Sequence, residues 1–210
     1  MTETNKYLKI VAHYESCLEK YGDSHLGVDW PKQDDAQTRY RVMLEVIRST
    51  DVAPITLLDF GCGASHLYEY ILRGGIDGIV YSGLDISPRF IDLSRQKFPN
   101  NEYHCSDVLS ADFQLPRFDY IVMNGVFTEK RELSFDEMLG YFKTPVKHTF
   151  SRANKGVALN VMSKQVDWER EDLFHLPLDT LADFLTKELT RNFVVRNDYG
   201  LYEYTAYIYR

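Results

Sequence analysis

The stretch Ile55-Thr56-Leu57-Leu58-Asp59-Phe60-Gly61-Cys62-Gly63-Ala64-Ser65-His66-Leu67-Tyr68 restricts the possible folds more than any other part of the chain. Ile55 to Phe60 is apolar except for Thr56 and Asp59, the pattern of a strand covered on both faces. Gly61 and Gly63 then allow a tight turn that brings backbone N–H groups close to a ligand. From Leu67 to Ile71 apolar residues return at helical spacing, and Gly74-Gly75 supplies a stop. A strand, a Gly-x-Gly turn and a helix make a nucleotide-cofactor signature, although two glycines alone are weakly specific. His66 stands where a dinucleotide fingerprint has its third glycine, and no Gly-Lys-Ser/Thr is present. Neither a dinucleotide turn nor a phosphate-cradling loop is therefore indicated.

Acids further along narrow the reading. Ile79 to Leu84 reads as a second strand with Asp85 at its carboxyl end, where a carboxylate can accept both hydroxyls of a ribose. Ser87-Pro88 supplies an N-cap and a first helical residue, so a role for Asp85 in the helix cap is the alternative. Glu102 to Cys105 reads as a short third strand followed by Ser106-Asp107-Val108. Phe118 to Met123 is a fourth, with Asn124-Gly125 at its mouth.

Asp59-x-Gly61-x-Gly63, with an acid after each of the next two strands, resembles the motif series of class I S-adenosylmethionine-dependent methyltransferases. The fullest form of that family has a further glycine where this chain has Ser65. The resemblance covers about residues 51–210. It implies an α/β, Rossmann-like doubly wound sheet of seven strands with the last antiparallel, and an N-terminal helical cap over residues 1–50. It also implies that Asp59 and the Gly61-Cys62-Gly63 turn meet the methionine part of S-adenosylmethionine, which carries a sulfonium and no phosphate. Asp85 and Ile86 would then hold the ribose, Asp107 and Val108 the adenine, and Asn124 and Gly125 would lie near the methyl group.

Residues 5–21 read as an amphipathic helix with Tyr7, Ile10, Val11, Tyr14, Leu18 and Tyr21 on one face. A second helix runs from about Asp34 to Ser49, after a loop from Gly22 to Pro31. On the resemblance, Tyr14, Trp30 and Arg39 are candidate lid contacts, with the Arg39 fork matched to the cofactor's carboxylate. Plain packing and a solvated helix position are the alternatives. Ser134-x-x-Glu137 is a capping box before a helix with Phe135, Met138, Leu139 and Phe142 in its stripe. Gly156 to Met162 is a fifth strand and Asp179 to Leu189 a last helix. Phe193–Arg196 and Leu201–Tyr209 are joined by only Asn197-Asp198-Tyr199-Gly200, too short for a crossover, so that pair must be antiparallel. Ser163 to Pro177 reads either as a wall of the acceptor pocket or as a charged turn over packed Trp168 and Phe174.

Methyl transfer from a sulfonium mainly needs alignment and exclusion of water. Removal of a proton from an oxygen or nitrogen acceptor can use a base, and His66, Glu129 and His175 are the candidates. The net charge of −7 and the lack of any cluster of four lysines and arginines argue against a nucleic-acid partner. No run of 18 apolar residues predicts a membrane helix, and Met1 to Lys6 lacks a leader pattern, so a cytoplasmic location is expected. Cys17, Cys62 and Cys105 have no metal-ligand spacing among themselves, so reduced thiols and no metal are expected. The expected acceptor is a small molecule, and the protein a monomer or homodimer. Gly27-Val28-Asp29-Trp30 and Leu201-Tyr202-Glu203-Tyr204 are similar to small bacterial methyltransferases of surface-polysaccharide biosynthesis. That likeness implies a sugar, nucleotide-linked sugar or phosphate-bearing glycan precursor, with Lys130 and Arg131 meeting the phosphate. The rival readings are a non-catalytic S-adenosylmethionine-binding module and a nicotinamide-dependent oxidoreductase. His66 and the antiparallel ending speak against the second.

Overall fold

The structure is a computed structural model and describes residues 6–210. In chain order the elements are α1 (Leu8–Tyr21), α2 (Gln33–Leu44), β1 (Ile55–Phe60), α3 (His66–Arg73), β2 (Ile79–Asp85), α4 (Pro88–Lys97) and β3 (Glu102–Cys105). There follow β4 (Phe118–Met123), α5 (Phe135–Arg152), β5 (Ala153–Ser163), β6 (His175–Leu176), α6 (Leu178–Glu188), β7 (Phe193–Arg196) and β8 (Glu203–Tyr209). Residue 5, which the sequence places in the first helix, and the start of the chain before Lys6, expected to carry no leader pattern, lie outside the described residues.

The strands form one sheet in the order β3-β2-β1-β4-β5-β8-β7, and the two-residue β6 pairs with β5 off that path. All pairings are parallel except those of β8, which is antiparallel to both β5 and β7. The chain winds outward from β1 to β3, then restarts at β4 on the other side of β1. The order therefore reverses between β1 and β4, and the crevice above their carboxyl ends is where such sheets bind ligands.

Side-chain alternation shows why both faces are covered. Leu58, Ile121, Val157 and Ile208 point into one apolar layer with Phe142 and Val146 of α5 and Phe184 of α6. Their neighbours Leu57, Val122, Ala158 and Tyr207 point into the other, with Met43 of α2 and Leu67 and Ile71 of α3. Period-2 alternation within an almost wholly apolar run is what two covered faces require. The capping box opens α5 as its sequence indicates: Ser134 Oγ accepts from Glu137 N at 3.2 Å, and Glu137 accepts from Ser134 N at 2.7 Å.

Two elements differ from the sequence expectation. The second helix stops at Leu44 instead of Ser49, because the chain tightens into three-residue turns (Ile47 N to Leu44 O, 3.1 Å). The turns place Val46 in the core. The segment before α6 also contributes an eighth strand, β6, because Met162 pairs with His175 and Ser163 with Leu176. Phe142 is fully buried between Phe127, Phe174 and Phe184. Phe142→Ala should cost about 3–5 kcal/mol in urea unfolding. A loss below 1 kcal/mol would show that the α5 face is not the packed layer described.

Candidate functional site

The turn after β1 is tied to the end of β2 by its own backbone. Gly61 N and Cys62 N both donate to Leu84 O, at 2.7 and 3.0 Å. Gly63 N donates to Asp85 Oδ2 at 2.9 Å, and Ser87 N donates to Oδ1 of the same carboxylate at 2.9 Å. Asp85 thus serves the cap of α4 and the glycine turn together, and each oxygen keeps a lone pair for a further donor. Gly61 has φ +76°, and a Cβ there would meet Val126 at 2.6 Å, so the turn needs glycine for both shape and space. Gly125, at the end of β4, has φ +77° and lies under Trp30, whose ring a Cβ would meet at 2.6 Å.

These elements wall a cleft above β1 and β4 of about 850 Å³, the open space at its mouth included. Asp59, Gly61, Cys62, Gly63, Asp85 and Ile86 line it from the sheet side, with Asn124, Gly125 and Val126 at its far end. Ile10, Val11 and Tyr14 of α1, with Val28, Trp30 and Tyr40, line it from above. Asp59 is buried and accepts from Tyr81 Oη at 2.9 Å. Burial pushes its carboxyl up to about 7; the Tyr81 hydroxyl works against that and the Asp85 charge adds to it. Burial also raises the Asp85 carboxyl, against the backbone donors that favour its charged form.

Not every residue named from the sequence reaches the cleft. Asp107 accepts from Tyr7 Oη at 2.5 Å and from Leu109 N at 2.8 Å, and Val108 is packed in the core. Tyr7 stacks on Tyr141, a cleft residue, with ring centroids 5.3 Å apart, so Asp107 touches the cleft only through this pair. Arg39 lies behind Trp30, stacked at 4.2 Å, and its Nε donates to Glu203 Oε2 at 2.8 Å. Half of its fork is therefore already engaged, while Nη1 is buried without a hydrogen-bond partner. Asn124 Oδ1 is buried and unpartnered in the same way. A buried polar atom without a partner is expensive, and Asn124 Oδ1 in the cleft wall, with Arg39 Nη1 behind Trp30, fits a polar ligand that supplies what is missing.

The three candidate bases sit differently from one another. His175 is buried, with Nδ1 2.7 Å from Ser163 O and Nε2 accepting from Arg170 N at 3.3 Å. Both ring nitrogens hold backbone, so the expected proton-accepting role is replaced by a structural one at β6. His66 lines the cleft, and its Nε2 is 2.7 Å from Asp23, which also holds Lys97 at 2.8 Å. Glu129 is buried in the loop after β4, with Arg131 3.1 Å away, and burial raises its carboxyl. Of the aromatic pair in the segment before α6, Phe174 is fully buried but Trp168 is 71% exposed, so only one packs underneath. Glu203 and Asn160, to which the sequence assigns no site role, stand out. Asn160 Oδ1 accepts from Gly125 N at 2.7 Å, and its Nδ2 donates to Glu203 Oε1 at 2.9 Å.

Comparison with known proteins finds methyltransferases. Residues 58–139 match the family model described as a methyltransferase domain. The Mycobacterium tuberculosis protein named "Putative methyltransferase Rv1506c" is 22% identical over 170 residues, which cover 79% of this chain and 98% of that protein. Among solved structures, magnesium protoporphyrin IX methyltransferase from Synechocystis PCC 6803 with bound S-adenosylhomocysteine superposes with a TM-score of 0.67 at 16% identity, covering 97% of this chain and 99% of that one. The plantazolicin methyltransferase BpumL gives a TM-score of 0.60 at 12% identity and 98% coverage of both chains. The fold is that of the class I methyltransferases. The methyltransferase-domain match over residues 58–139, taken with the site motifs, supports an S-adenosylmethionine-dependent methyltransferase.

The raised Asp59 carboxyl has a consequence for stability. Its folded value of about 7 exceeds the ordinary 3.8, so its contribution favours folding fully below pH 3.8 and is lost as pH rises through about 7. Asp59→Asn has no such titration. Between about pH 5 and 8 the wild-type unfolding midpoint should fall relative to that of the variant. Parallel profiles would contradict the assignment.

Proposed function

We propose that S-adenosylmethionine lies in the cleft with its ribose hydroxyls on Asp85 and its methionine part along the Gly61–Gly63 turn. The carrying observation is the Asp85 carboxylate, held by two backbone N–H groups at the end of β2 with lone pairs still available. Asp59 suits the ammonium group, since a neighbouring cation would draw its raised carboxyl back to the charged form. Asn124 Oδ1 offers a second acceptor, and the unpartnered Nη1 of Arg39 offers a donor to the carboxylate. Residues 1–50 act as a cap over the 51–210 domain, with Tyr14 and Trp30 above the methyl end.

The reaction is in-line transfer of the methyl group to an oxygen or nitrogen of a small molecule. The cofactor supplies the reactive sulfonium; the chain aligns the acceptor and keeps water out. Glu129 is the candidate base to test, because its raised carboxyl is closer to neutrality and His175 is committed to backbone. Beside the cleft, a groove is lined by Lys130, Arg131, Lys9 and His13. Arg131 is paired with Glu129 and Asp172, whereas Lys130 has no ion-pair partner among the described residues. A phosphate on the acceptor, as in a nucleotide-linked sugar or glycan precursor, would suit Lys130.

Calorimetric titration tests the placement. Wild type should bind S-adenosylhomocysteine and methylthioadenosine, which lacks the amino-acid part, and should not bind a nicotinamide dinucleotide. Asp85→Ala should weaken both adenosine ligands by at least about ten-fold, roughly 1.4 kcal/mol. Arg39→Ala should weaken S-adenosylhomocysteine alone. Equal losses of both ligands in Arg39→Ala would remove the carboxylate contact, and binding of the dinucleotide alone would overturn the function.

A further inference from the structure

The described residues contain two places where three metal-ligating side chains converge. One joins Asp23, His66 and Glu69, and there a cation is already present. Lys97 Nζ lies 2.8 Å from Asp23, 2.6 Å from Glu69 and 2.7 Å from Ala64 O. The second joins His13 and Cys17 of α1 with Asp29 of the following loop. Here, among the described residues, no lysine or arginine ion-pairs with Asp29, whose one ionic partner is His13.

The geometry of this second group is that of a ligand set. His13 and Cys17 are four residues apart, so they share one face of a rigid helix. Asp29 approaches from a residue with φ +58°. His13 Nε2 lies 2.8 Å from Asp29 Oδ2 and 3.8 Å from Cys17 Sγ, and the three ligand atoms are all within 4.8 Å of one another. Tetrahedral zinc with imidazole, thiolate and carboxylate ligands has ligand–ligand separations of about 3.5 Å, so side-chain shifts of about an ångström complete it. One imidazole nitrogen satisfies one partner, yet both the thiol and the carboxylate converge on Nε2. A single cation answers all three.

We propose that His13, Cys17 and Asp29 form a binding site for a divalent transition-metal ion of the zinc class. Mixed nitrogen, sulfur and oxygen donors suit such an ion better than magnesium or calcium, which take oxygen ligands. On binding, the Cys17 thiol gives its proton to solvent and the thiolate joins the metal; no electron changes hands. With three protein ligands, a fourth position stays open to water or another oxygen. Asp29 directly precedes Trp30, which lies over Gly125, so the ion would fasten the loop after α1 to that helix at the Gly125 end of the cleft. The site stands independently of the cofactor placement.

Cobalt(II), added to the full-length, metal-stripped protein, is the probe. The expected result is one ion per chain with a sulfur-to-cobalt charge-transfer band, displaced by zinc. Cys17→Ser should abolish the band. Asp29→Asn and His13→Ala should weaken binding by more than about 100-fold, beyond the effect of losing a supporting hydrogen bond. Circular dichroism and S-adenosylhomocysteine binding show that each variant is folded. Absence of the band in the wild type, or a band that survives Cys17→Ser, overturns the proposal.

Discussion

The carboxylate of Asp85 holds together the three pieces from which the site is made. It accepts from Gly63 in the turn after β1 and from Ser87 at the start of α4, while its own backbone ends β2. Two charge-assisted hydrogen bonds of this kind are each worth about 1.5–3 kcal/mol and fix orientation as well as energy. With the turn fixed, its N–H groups and the carboxylate edge face one crevice. The sheet contributes the crevice itself, since parallel strands that wind both ways from β1 leave a gap above β1 and β4.

The opposite end of the cleft is fixed by a chain of buried polar contacts. Gly125 N is held by Asn160, Asn160 by Glu203, and Glu203 by Arg39, which stacks on the Trp30 ring above Gly125. Glu203 and Asn160 are almost wholly removed from water. A buried ion pair with every partner in place adds little net stability, but removing one member leaves a buried charge exposed to the full desolvation cost. The network therefore makes the shape of the cleft at Gly125 sensitive to residues on β5, β8 and α2 at once. It also couples the segment before β1 to the sheet, because Trp30 and Arg39 come from that segment, Asn160 from β5 and Glu203 from β8.

The parts legible in the sequence are those set by local pattern. The strand–turn–helix around Asp59 to Leu67, the Ser87-Pro88 and Ser134–Glu137 caps and the antiparallel ending each follow from neighbours a few residues apart. What was not legible depends on long-range partners. Asp107 sits after its strand as the pattern indicates, but Tyr7, 100 residues away, takes one of its oxygens. Arg39 is claimed by Glu203 across 164 residues. His175 sits in a polar segment that reads as a loop, and only the pairing of β6 with β5 shows that its ring is buried on backbone. The His13–Cys17–Asp29 group has no signature within the cysteines alone; a helix face and a loop bring it together. The signal that would have found it is the four-residue spacing of His13 and Cys17 on a helix already predicted to be amphipathic.

The most direct measurement of the central claim is a crystal structure of the protein with S-adenosylhomocysteine. The account predicts both ribose hydroxyls within hydrogen-bond distance of Asp85, with the amino-acid part running along Gly61–Gly63 toward Asn124. A ligand bound elsewhere, or an adenosine turned so that its ribose leaves Asp85 free, would contradict it.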